Sequence, residues 1–219
     1  MFILGPSHHE CISGCALSAC ETYETPIGNL TLDLDTIKDL KATGSFEIMS
    51  QSVDENEHSI EMHLPYLRYM MDLKGVDLPI VPVLVGSLGR GHCEAEKYAK
   101  LFEKYADDSF FIISSDFCHW GERFGYTPCR GPAIDEYITQ LDHQGIEWIE
   151  KIDPTGFLEY LSTSRNTICG RNPILILLHT WARLKNEKKK IKAVHYRKSG
   201  VCQSMQDSSV SYASFFCLS

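Results

Sequence analysis

Short apolar runs bounded by turn residues alternate with longer segments of helical period along this chain, and no other feature constrains its fold as much. The runs fall at residues 2–4, 80–85, 110–113, 191–196 and 210–216 and read as strands. Helical spacing covers 36–42, closing at Gly44, and then 59–73, 93–105, 134–141, 154–161 and 173–184. Asp153-Pro154 and Asn172-Pro173 each put a capping residue before a proline that needs no N–H, which predicts two helix starts. Strands separated by helices pair in parallel and are covered on both faces. The pattern therefore predicts an α/β fold, three αβα layers around a mainly parallel sheet, in one domain over residues 1–219.

Sheets of that kind bind ligands at the carboxyl ends of their strands, so the residues leaving each strand are the first place to look for chemistry. His8 and His9 follow Gly5-Pro6-Ser7 out of the first run, and Asp116 and His119 leave the run at 110–113 three residues apart. Cys169 precedes the helix expected at Pro173, where the positive end of the helix dipole favours thiolate. Imidazole, carboxylate and thiolate are the ligand types of a transition-metal site. A lone histidine at a strand end is more often structural, and a lone cysteine is more often a small core residue. It is the joint placement of His8, Asp116, His119 and Cys169 at strand and helix ends that makes them a candidate site.

Other motifs carry less. His8, Cys11, Cys15 and Cys20 lack the paired spacing of a structural zinc site. The segment from Glu57 to His63 sets Glu57/Glu61 and Ser59/His63 four apart but is not H-E-x-x-H, so a metalloprotease reading fails on order. The glycine-rich stretch 86–91 has no Lys-Ser/Thr after it and reads as a strand-to-helix turn. No G-x-S-x-G elbow occurs, which leaves no candidate serine hydrolase.

With 29 acidic against 21 basic residues the formal charge is -8, which repels nucleic acid on average. Five lysines between Lys185 and Lys192 end an expected helix, where they complement its dipole. Nine cysteines, an odd number, suit free thiols in a reducing compartment. No stretch approaches the roughly 18 apolar residues that span a membrane. These features predict a soluble cytoplasmic protein, with the nucleus as a second compartment, that neither inserts into membranes nor binds nucleic acid.

The stretches FILGPSHH (2–9), DENEHSIEMHLPY (54–66), PVLVGSL (82–88), SSDFCHWG (114–121), NTICGRNPI (166–174) and QDSSVSYA (206–213), taken in order, resemble the Memo family, whose name refers to mediation of cell motility downstream of a receptor tyrosine kinase. The resemblance implies a fold similar to the class III extradiol dioxygenases, non-haem iron enzymes. It implies a pocket in which His8 and Cys169 are metal ligands, for iron or copper, and in which Asp116 and His119 stand nearby, His119 at the dioxygenases' acid-base position. The family's N-terminal Pro-His-Ala-Gly motif, which supplies another ligand, has no counterpart in these residues. The expectation is thus of a shortened chain with weak metal binding and no confident catalytic residue. The resemblance implies an adaptor that binds the phosphotyrosine-bearing tail of a receptor tyrosine kinase and relays it to cytoskeletal regulators. An iron- or copper-binding redox protein and an inactive truncated product are the alternatives.

Overall fold

The computed structural model describes residues 1–89, 92–129, 133–186 and 189–218, and the chain forms two compact units, Met1–Ser114 and Ser115–Ser219. The first contains β1 (Phe2–Pro6), β2 (Cys15–Leu17), β3 (Thr22–Tyr23), β4 (Leu30–Thr31), α1 (Leu34–Ala42) and β5 (Phe46–Ile48). It continues through α2 (Gln51–Asn56), α3 (His58–Glu61), α4 (Leu64–Lys74), β6 (Val81–Val85), α5 (His92–Phe102) and β7 (Phe111–Ile113). The second contains β8 (His119–Trp120), α6 (Ile134–Glu150), α7 (Pro154–Ser164), α8 (Arg171–Arg183), β9 (Lys190–Lys198) and β10 (Ser209–Leu218).

In the first unit five strands pair in the order β5-β2-β6-β1-β7, and only the β2–β6 pair is antiparallel. This is the mainly parallel α/β sheet that the alternation predicts. β1 and β6 are buried at every residue, as strands covered on both faces must be. Phe2 meets Phe102 of α5 edge-on at 5.4 Å, while Gly5, one strand position out of phase, faces Ser59 and Ile60 of α3. Helices therefore lie on both faces, giving the three expected layers. A Cβ at Gly5 would stand 2.5 Å from Ser59 Oγ and 2.8 Å from Ile60 Cγ1. Only a bare backbone lets α3 rest on β1, and that contact brings Glu57 to His8.

Several expected elements change shape. The helix expected over 59–73 is two helices, because Pro65 has no N–H to donate to the Glu61 carbonyl one turn back. The helix from Ile134 runs to Glu150 rather than ending near 141, and at Gly145 the aromatic ring of Tyr160 packs where a Cβ would sit, 2.9 Å from its nearest ring atom. Asp153 caps α7 as predicted, accepting from the N–H groups of Thr155 and Gly156. Asn172 is not the N-cap: α8 starts at Arg171 behind Gly170. The last two runs do not join the parallel sheet. β9 and β10 pair antiparallel over their length and β8 adds to β10, a three-stranded sheet within the second unit.

Only part of the lysine run acts at the helix end as predicted: α8 stops at Arg183, and Lys190 and Lys192 belong to β9. Lys189 Nζ donates to the carbonyls of Ala182 and Leu184 at the end of α8, at 3.1 and 2.7 Å. Residues 187 and 188 of that run, and 90 and 91 of the glycine-rich turn, lie outside the described residues. All nine cysteines are free thiols, and among the described residues no helix is long and apolar enough to cross a membrane.

Candidate functional site

The four candidate residues fall into two groups, one in each unit. In the first, β1 ends at Pro6 and the chain turns so that the backbone N–H of His8 donates to Glu57 Oε2 at 2.6 Å. The His8 ring adds a second bond, Nδ1 to Glu57 Oε1 at 3.0 Å. Glu57 itself is the N-cap of α3, accepting from the Ser59 N–H at 3.0 Å, and its side chain is buried. The Ser59 hydroxyl donates to the Pro6 carbonyl at 2.9 Å and ties the helix start to the strand end.

Burial opposes the Glu57 charge, but the N–H and imidazole of His8 and the N–H of Ser59 outweigh it and hold the carboxyl down at about 2. An ionised carboxylate can only accept, so His8 Nδ1 carries hydrogen and donates it to Glu57. His58 stacks on His8 with ring centres 4.7 Å apart, and its Nδ1 lies 3.4 Å from Glu57 Oε1. One ligand atom each from His8, Glu57 and His58 lies within 4.8 Å of the others, a grouping that can hold a metal ion. Two imidazoles and a carboxylate suit iron and other first-row transition ions, so the donor set fits such an ion.

In the second unit two loops are stitched together. The Asp116 N–H donates to Cys169 Sγ at 3.0 Å, and the Gly170 N–H to Ser115 Oγ at 3.0 Å. Thr167 Oγ1 accepts from the His119 N–H at 2.7 Å and donates to the His119 carbonyl at 3.1 Å. The ring of His119 has two carbonyls 3.0 Å from Nδ1, those of Phe117 and Thr167. Two acceptors at one nitrogen fix a proton there, and Nε2 lies 3.7 Å from Asp116 Oδ2. Cys169 sits one residue before Gly170, the N-cap of α8, so the sequence placed this thiol correctly at a helix start.

Asp116, His119 and Cys169 thus share one hydrogen-bonded loop pair, as their positions at chain exits suggest. Within the first unit His8 is joined by Glu57 and His58, whose spacing in 57–63 matches no metal-ligand motif. The one local signal is Glu57 itself, an acidic residue directly before a short helix, the pattern of an N-cap.

A protein with a mainly parallel sheet, helices on both faces and polar residues at strand exits is of the α/β class whose ligand sites lie at chain turns. A solved structure of the uncharacterized protein JW3007 of Escherichia coli K12 shares the fold, with a TM-score of 0.54 and 14% identity over 96% of this chain and 84% of that one. The sequence narrows the class. The Memo-like protein family matches residues 1–216. Protein MEMO1 of Xenopus tropicalis is 48% identical over 97% of this chain and 73% of its own length, and human Protein MEMO1 is 44% identical over the same shares. The memo-1 homolog of Caenorhabditis elegans is 44% identical over 98% of this chain and 62% of its own. This chain belongs to the Memo family.

Proposed function

We propose that this chain is a signalling adaptor in cell migration, which binds the phosphotyrosine-bearing tail of a receptor tyrosine kinase and relays it to cytoskeletal regulators. The observation that carries this reading is the family match across residues 1–216. The proposed binding residues are His8 in the first unit and Asp116, His119 and Cys169 in the second. The His119 imidazole is oriented by the two carbonyls at Nδ1, which leaves Nε2 as the ring atom that would meet a ligand. Fluorescence anisotropy with tyrosine-phosphorylated and unphosphorylated receptor-tail peptides tests the reading. Binding that depends on the phosphate supports it, and equal affinity for both peptides refutes it.

A second reading, iron or copper binding in a redox role, is favoured by one observation, the His8, Glu57 and His58 group. The resemblance adds Cys169 as a soft ligand. Iron would supply an open coordination position for oxygen chemistry, and these residues would orient and hold it. Calorimetric titration of the metal-free protein with Fe²⁺ checks this. His58→Ala should weaken binding about tenfold or more on this reading, and unchanged affinity removes His58 from the site.

A further inference from the structure

α4 is apolar on two opposite sides, and the first unit uses only one of them. Leu64 and Met71 are buried there, with Leu67 half-buried between them. Tyr66, Tyr69, Met70 and Leu73 project from the other side into water. Met62 joins them from the right-handed turn between α3 and α4. Met62, Tyr66, Tyr69 and Leu73 are each between 58% and 73% exposed. Single exposed apolar residues are ordinary, but a helix that is apolar all round is one that is buried all round.

The spacing of these residues says what kind of surface they fit. Met62, Tyr66, Tyr69 and Leu73 follow one another at four, three and four residues, the seam by which one helix packs along another. The polar groups of α4 leave that seam clear. Arg68 is held within the unit by Asp72 and Asp77, at 2.7 and 2.9 Å, and by the Asn29 carbonyl. Glu61 and Lys74 stand at opposite ends of the stripe, both exposed, and neither has an ion pair among the described residues.

We propose that this face binds a second copy of the chain, in a twofold dimer whose α4 helices run antiparallel. A twofold axis crossing α4 between Leu67 and Arg68 sets Tyr66 against Tyr69 of the second copy, Met62 against its Leu73, and Glu61 against its Lys74. Each pairing occurs twice, as an isologous interface requires. The stripe is thus complementary to itself in size and in charge, which favours a second copy over a partner of unrelated sequence. Burying the two tyrosines at about 150 Å² or more apiece, with Met62, Met70 and Leu73, removes on the order of 600 Å² per copy. Doubled, that is about 1,200 Å², the lower end of specific interfaces, so the dimer is a weak one in the micromolar range.

Sedimentation velocity of the intact chain over about 1 to 200 µM tests the proposal, and the mass should move from one chain to two as a discrete boundary. Leu73→Glu puts a charge into the seam and should weaken association at least about tenfold. Its thermal midpoint should stay unchanged at low concentration, since Leu73 faces water in the single chain, so loss of the dimer will not be loss of fold. Glu61→Lys and Lys74→Glu each set like charges together twice and should weaken association by about fivefold. Mixing those two variants restores opposite charges at both ends of the heterodimer and should return association to at least wild-type strength. A chain that stays monomeric at the highest concentration leaves the face to another protein and overturns the proposal. A dimer unchanged in Leu73→Glu overturns it too, because the copies then meet elsewhere. So does a mixture that associates no more tightly than its two components, because the helices are then not antiparallel.

Discussion

Each unit buries one carboxylate beside its candidate residues, and the two are held in opposite electrostatic states. Glu57 is held well below the usual carboxylate range, whereas Asp142 is pushed above it. Both are buried, and in both desolvation is the largest influence. The donors differ. Glu57 receives two backbone N–H groups and an imidazole, with a second imidazole 3.4 Å away. Asp142 receives one backbone N–H, from Cys118, one amide N–H from Asn166 and the hydroxyls of Ser211 and Tyr196, all of them neutral donors. Burial alone does not set the charge of a carboxyl; what decides it is whether the donors around it outweigh the lost water. The Glu57 cluster is built around an anion, and the Asp142 network around a group that resists becoming one.

The largest effect should come from removing the anion that the first unit is built around. Glu57→Gln keeps the shape but turns an amide N–H₂ toward donors, so it should cost about 3 kcal/mol in urea unfolding. A loss under about 1 kcal/mol would show that the His8 and Ser59 bonds do not depend on charge.

The pH dependence follows from the same contrast. The folded value of Glu57 lies below its usual 4.5, so its contribution is complete above that value and is lost as pH falls toward about 2. Asp142 runs the other way: its folded value is raised above the usual 3.8, so its contribution is complete below that value and declines as pH rises through the folded one. Urea midpoints between pH 2 and 7 should show an acid limb in the wild type that is much reduced in Glu57→Gln. An acid limb of the same depth in that variant would remove Glu57 as its source.

The smallest effect should be at Asp142→Asn. The new amide can still accept from Cys118 and Asn166 through oxygen, while the hydroxyls of Tyr196 and Ser211, which donate to the carboxylate, can turn to accept from its nitrogen. With the desolvation cost of the charge gone, the change should cost under about 1 kcal/mol by the same unfolding measurement. A cost equal to that of Glu57→Gln would break the comparison.

What could be read from the sequence follows a physical line. The parallel strands of the first unit were legible because β1 and β6 are continuous apolar runs, while β2, β3, β4 and β5, of two or three residues each, are too short to show a period. Asp116, His119 and Cys169 were legible as residues at strand and helix ends, and the loops that carry them do meet.

The sequence by itself determined the family, through ordered motifs spread from residue 2 to residue 213, and the α/β class, through periodicity, because both are properties of spacing along a chain. Only the tertiary structure decided that Glu57 and His58 stand at His8, 49 and 50 positions away. That approach depends on Gly5 letting α3 lie on β1, a matter of missing atoms on one face of a strand that no linear spacing encodes.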